Sequence, residues 1–93
     1  MAFFRVCFDV APLDIALEGM RTRCGFIKNL YVSAKSEAAA VTVARADLDL
    51  ALSRNSKFNG ADLSGAKFKV DEVERSSNFL KIFRPEGFVF YKI

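Results

Sequence analysis

Histidine and tryptophan are missing from this chain of 93 residues, and cysteine occurs only twice. Without His, no Ser-His-Asp or Cys-His nucleophile pair can be built, and no imidazole serves as a general base near neutral pH. The usual zinc sites draw several ligands from Cys and His, which Cys7 and Cys24 cannot supply alone. None of the five glycines lies in a Gly-rich turn between a strand and a helix. That excludes a phosphate-cradling P-loop and a dinucleotide fingerprint. No stretch approaches the ~20 apolar residues of a membrane span. The apolar run after Met1 is broken by Arg5 and Asp9 and has no basic segment before it, unlike a secretory signal. The expectation is a cytoplasmic, non-enzymatic protein with no catalytic residue, no metal, no cofactor and no membrane partner. In that compartment Cys7 and Cys24 stay reduced thiols.

What is present is an ordinary globular composition, 52% apolar and 27% charged, with a net charge of +3. The length fits one domain over residues 1–93 with one modest core. Residues 3–10 alternate, with Phe4, Val6, Phe8 and Val10 on one side and Phe3, Arg5, Cys7 and Asp9 on the other, a strand pattern. Pro12 is expected to end that strand. A long connection follows over 11–25, with a helical turn from Asp14 to Glu18 stopped by Gly19. Residues 26–34 alternate again as a second, antiparallel strand. A helix runs from an N-cap at Ser36 to about Leu52, with Glu37 at the positive end of its dipole. Its core stripe is Val41, Ala44, Leu48, Ala51 and Leu52, and a weaker second stripe is Ala39, Val43, Ala46 and Leu50. Phe68–Val73 reads as a third strand. The runs 79–83 and 88–93, joined by Arg84-Pro85-Glu86-Gly87, read as a hairpin. The order β-β-α-β-β-β describes a two-layer α+β fold, an antiparallel sheet with one main helix on one face.

Two short resemblances stand out. Residues 56–68, Ser-Lys-Phe-Asn-Gly-Ala-Asp-Leu-Ser-Gly-Ala-Lys-Phe, resemble pentapeptide repeats, whose central Leu or Phe fills a four-sided β-helix. The match is less than one full coil, and solenoids need several stacked units, so a local turn structure is expected. Gly87-Phe88-Val89-Phe90 resembles part of the second ribonucleoprotein signature of RNA-recognition motifs, whose strand aromatics stack on bases. It covers four residues, with Glu86 in place of the basic residue and Val89 in place of Gly or Ala, and the family's element order is absent.

One parity of the strands mixes Phe with cations: Phe3 and Arg5, then Phe79, Lys81 and Phe83, then Phe88, Phe90 and Lys92. One helix covers only one sheet face, so these residues are expected on the other. Three readings fit: a mixed assignment of faces or a face covered by the 53–65 loop, a protein interface, or a stacking platform for single-stranded nucleic acid. Charge is uneven, with Arg21, Arg23, Lys28 and Lys35 and no acid over 19–36. Arg21 and Arg23 suit carboxylates or phosphates, and their proximity is expected to lower the Cys24 thiol. A carboxylate pair at Asp47 and Asp49 fails on geometry, since residues two apart on a helix point away from each other. The leading expectation is a small basic protein-binding module, acting as a homodimer or as an accessory or inhibitor protein, of the kind phages and plasmids aim at nucleic-acid machinery. Its partner-binding residues are Phe3, Arg5, Arg21, Arg23, Lys28, Phe79, Lys81, Phe83, Phe88, Phe90 and Lys92. The alternative is a single-stranded nucleic-acid-binding protein using the same face.

Overall fold

The structure is a computed structural model that describes residues 1–76 and 87–93. Its elements are β1 (Ala2–Leu17), β2 (Met20–Ala34), α1 (Glu37–Arg54), a 3-10 turn (Ser56–Phe58), β3 (Lys67–Ser76) and β4 (Val89–Lys92). The strands form one sheet in the order β3-β1-β2-β4, with every neighbouring pair antiparallel. The expected α+β class therefore holds. Among the described residues the order is β-β-α-β-β, and the partner of β4 is β2. The expected hairpin partner over 79–83, with Phe79, Lys81 and Phe83, lies outside the described residues. Among the described residues no helix is long and apolar enough to cross a membrane.

The connection expected over 11–25 is instead the far half of a long β1–β2 hairpin. Val10 faces Phe26 and Leu13 faces Cys24, so Ala11 and Pro12 together oppose Gly25. That is a β-bulge, a position where proline's missing N–H costs the ladder nothing. The extra residue inverts the alternation. Phe4, Val6, Phe8 and Val10 point into the core before the bulge, and Leu13 and Ile15 after it. At the tip, Glu18 and Gly19 both have positive φ (52° and 81°) between the paired Leu17 and Met20. Two positive-φ residues match the right-handed twist of the strands they join. Gly19 thus closes a hairpin rather than a helix.

α1 begins as its sequence predicts. The Ser36 hydroxyl accepts from the Ala39 N–H at 3.2 Å, and Glu37 and Arg54 complement the dipole at the two ends. The helix lies mainly over β2 and buries Ala40, Ala44 and Leu48, a spacing of four that faces one side. Val41, Ala51 and Leu52 are half-buried at its margins. Val43 and Leu50 of the second stripe remain 40% and 47% exposed.

Between α1 and β3, residues 56–68 form a turn structure and not a β-helical coil. The 3-10 turn seats Phe58 in the core, Asp14 and Asp62 exchange backbone hydrogen bonds of 3.1 and 2.9 Å, and β3 follows. The positions that resemble repeat centres still serve packing, since Phe58 is buried and Leu63 and Phe68 lie against the core.

β4 is fixed by a close approach. Tyr91 faces Gly25, and a Cβ at position 25 would collide with the hydroxyl-bearing edge of the Tyr91 ring. Glycine is required there by an aromatic partner across the strands, not by its own backbone angles. Gly25→Ala is expected to destabilise the protein by about 1–3 kcal/mol, the cost of overpacking. Chemical denaturation checks this, and Tyr91→Ala in the same background should recover part of the loss.

Candidate functional site

The structure divides the residues expected on one surface between two faces. Phe3 and Arg5 are on the outer face, away from α1, with Phe3 37% exposed. Arg5 donates to Asn29 Oδ1 at 3.0 Å, to Glu72 Oε1 at 2.6 Å and to Glu74 Oε2 at 2.9 Å. Two β3 carboxylates, Glu74 foremost, hold the guanidinium charged and raise its pKa further. The expected basic centre of this face is therefore outnumbered by its own acids. Arg21 and Arg23 are exposed near the hairpin tip. Arg21 donates to the Gly60 carbonyl at 3.0 Å, and Arg23 stands across from Asp14. Both serve the junction with the 59–65 loop.

Phe88, Phe90, Lys92 and Lys28 are not on the outer face. Phe90 faces Phe26, Lys92 faces Cys24 and Lys28 faces Phe8. Cross-strand partners share a face, and Phe26, Cys24 and Phe8 are core residues. The expectation from composition fails because β4 takes its parity from Tyr91 over Gly25, which turns Phe88 and Phe90 to the α1 side. Cys24 is also corrected. Its thiol is pushed up by burial, with Asp14 adding to the effect, and not down by Arg23. Cys7 is raised in the same way, chiefly by burial. The two free thiols lie on opposite faces of the sheet, which separates them by the strand layer itself.

On the α1 side the inward turn assembles a basic and aromatic site. Phe26, Phe58, Phe88 and Phe90 form one cluster, with Phe58 edge-on to Phe26 at 5.5 Å and to Phe88 at 4.9 Å. Phe26 and Phe58 are buried, while Phe88 and Phe90 are half-buried. Lys28 Nζ lies 5.2 Å from the centre of the Phe88 ring and Lys57 Nζ 5.8 Å from that of Phe90. Beside them opens a cleft of about 600 Å³ between the C-terminal end of α1 and the start of β4. Phe88 and Phe90 line it with Arg54, Asn55, Ser56 and Lys57. A second cleft, of about 550 Å³, lies toward the hairpin tip and is lined by Leu17, Glu18, Met20, Thr22, Lys57 and Lys92. Lys57 belongs to both.

Four expected site residues, Lys28, Phe88, Phe90 and Lys92, therefore meet here, joined by Arg54 and Lys57, which sequence reasoning missed. The available signal was the position of Arg54 and Lys57, closing the helix and entering a turn next to the apolar Phe58. The groups present are cations over aromatic and aliphatic surface, with hydroxyl and amide partners at Ser56 and Asn55. Such a set can hold an anion attached to a flat apolar group.

The outer face carries one strongly shifted group. The Tyr91 hydroxyl donates to Asp9 Oδ1, and this bond, aided by burial, pushes the phenol from 10.0 up to about 12. A raised folded-state pKa gives stability that is complete below pH about 10 and lost as pH rises through about 12. In a Tyr31→Phe background Tyr91 is the sole tyrosine. Ultraviolet titration of its phenolate should then show a midpoint near 12, and Asp9→Asn should bring it back toward 10.

Comparison with protein-family models, with curated proteins and with solved structures finds no match to this chain, so the site is read from its own chemistry.

Proposed function

We propose that this protein is a non-catalytic binding protein for single-stranded nucleic acid, and that its site is the cleft beside α1 and β4. The observation that carries the reading is the convergence of Phe88 and Phe90 with Lys28, Arg54, Lys57 and Lys92. Glu18 is the one acid lining the two clefts among the described residues. Half-buried rings offer a π-face to a base, and base stacking on aromatics contributes about 1–3 kcal/mol without sequence preference. Cations around the rings supply the phosphate term, which dominates affinity and makes it depend on salt. A duplex fits less well, because α1 lacks a basic face and carries Asp47 and Asp49 exposed.

A second reading, docking onto another protein, draws on one specific observation: Val43 and Leu50 stay exposed on α1, away from its buried stripe. The outer sheet face supports it less. Arg5 is paired with Glu72 and Glu74 there, and Phe88 and Phe90 are turned to the other side.

Fluorescence anisotropy with labelled single-stranded RNA, single-stranded DNA and duplex DNA, at about 50 and 200 mM salt, tests the proposal. Single strands should bind more tightly than duplex, and the affinity should fall steeply with salt. Arg54→Ala and Lys57→Ala change exposed side chains and should leave the fold intact. Each is expected to reduce the logarithmic salt slope by about 0.7, the value for one phosphate on a single strand. Failure of all three nucleic acids to bind at low salt would retire the proposal in favour of protein docking.

A further inference from the structure

We infer that the two clefts meeting at Lys57 are consecutive nucleotide subsites, with Lys57 set at the phosphate that joins them; the inference rests on the nucleic-acid reading above. The clefts are alike in size, about 600 and 550 Å³, and both open to solvent, each with a volume in the range of small-ligand sites. Each pairs apolar surface with a cation of its own. The first has Phe88, Phe90 and Arg54, and the second has Leu17, Met20 and Lys92. Lys57 lines both, so its ammonium group reaches an anion held at their boundary.

The two subsites differ in how they hold a base. In the first, the rings of Phe88 and Phe90 are backed by Phe26 and Phe58, which makes an aromatic stacking surface. In the second, the apolar surface is aliphatic. Met20 is 71% exposed at the hairpin tip, and its flexible polarizable thioether adapts to a flat ring of any outline. Glu18 lines the second cleft at the tip and opposes a further phosphate there. The strand therefore keeps its phosphates toward Lys57 and ends in the second subsite. Leu17, Met20 and Lys57 reach this arrangement from separate parts of the fold, the two flanks of the hairpin turn and the 3-10 turn after α1.

A length series tests the inference. Unlabelled 5′-phosphorylated thymidine mono-, di-, tri- and tetranucleotides compete against a labelled single strand, with the full chain as receptor. The dinucleotide should bind about tenfold more tightly than the mononucleotide, the effect of one added base contact and one shared phosphate. Lys57→Ala should shrink that step to less than about twofold. Met20→Ala removes an exposed side chain, so the fold is retained. It should weaken the dinucleotide and leave the mononucleotide unchanged. Equal affinity for mono- and dinucleotide, with the long strand still bound, would overturn the paired subsites while leaving the broader reading in place. A Met20→Ala protein that binds the dinucleotide as the parent does would also overturn them. No binding of the labelled long strand would overturn both.

Discussion

Gly25 couples the two faces of the sheet. It stands opposite the Ala11–Pro12 bulge of β1 and beneath the ring of Tyr91 from β4. The bulge sets the register on one side of Gly25, and on the other the ring needs a strand position with no side chain. Once Tyr91 lies on the outer face and donates to Asp9, the alternation of β4 places Phe90 on the inner face against Phe26. The basic and aromatic cleft on the α1 side thus depends on a packing event on the opposite side of the sheet. Widening Gly25 by one methyl group disturbs the seat of Tyr91 and, through β4, the cleft.

Charge follows the same division. On the outer face the one central guanidinium is matched by two carboxylates, and its geometry is spent within the fold. Part of that network is exposed, where ion pairs contribute little to stability, so its main effect is to offset positive charge on that face. Around the cleft the cations instead lie over rings and along solvent-facing walls. A net charge of only +3 is too small to make the whole surface attractive to polyanions. Arg54, Lys57 and Lys92 place positive charge along the clefts beside the aromatic rings.

Local patterns made much of the fold legible. The Phe4–Val10 alternation, the Ser36 cap and the Ala-rich helix each follow from contacts within a few residues. Most of the failures are places where one distant residue decides. Pro12 reads as a strand end unless Gly25 is known to oppose it across a bulge. The inversion from Val10 to Leu13 erases the period-two signal over 11–17. Glu18-Gly19 lacks the Asn or Asp that usually marks such a turn, so the hairpin tip carried little signal of its own. In β4 both parities carry aromatics. The choice between Phe88 with Phe90 and Val89 with Tyr91 rests on a fit to Gly25, 66 positions away in the chain. Arg54 and Lys57 carry only the weak local signal of a helix end and a turn next to Phe58, and their place beside β4 follows from tertiary packing.

The aromatic cluster has two duties that draw on the same rings. Phe26 and Phe58 are interior and close the core under the end of α1. Phe88 and Phe90 extend the cluster to the rim, where their outer surfaces meet solvent and the ammonium groups of Lys28 and Lys57. β4 is four residues long and is held in the described sheet by its pairing with β2. A ligand that stacks on Phe88 or Phe90 binds only while β4 is docked. It therefore stabilises that docking in proportion to the logarithm of its concentration over its dissociation constant. The proposed site therefore depends on the same packing of Tyr91 on Gly25 that seats β4 beside β2.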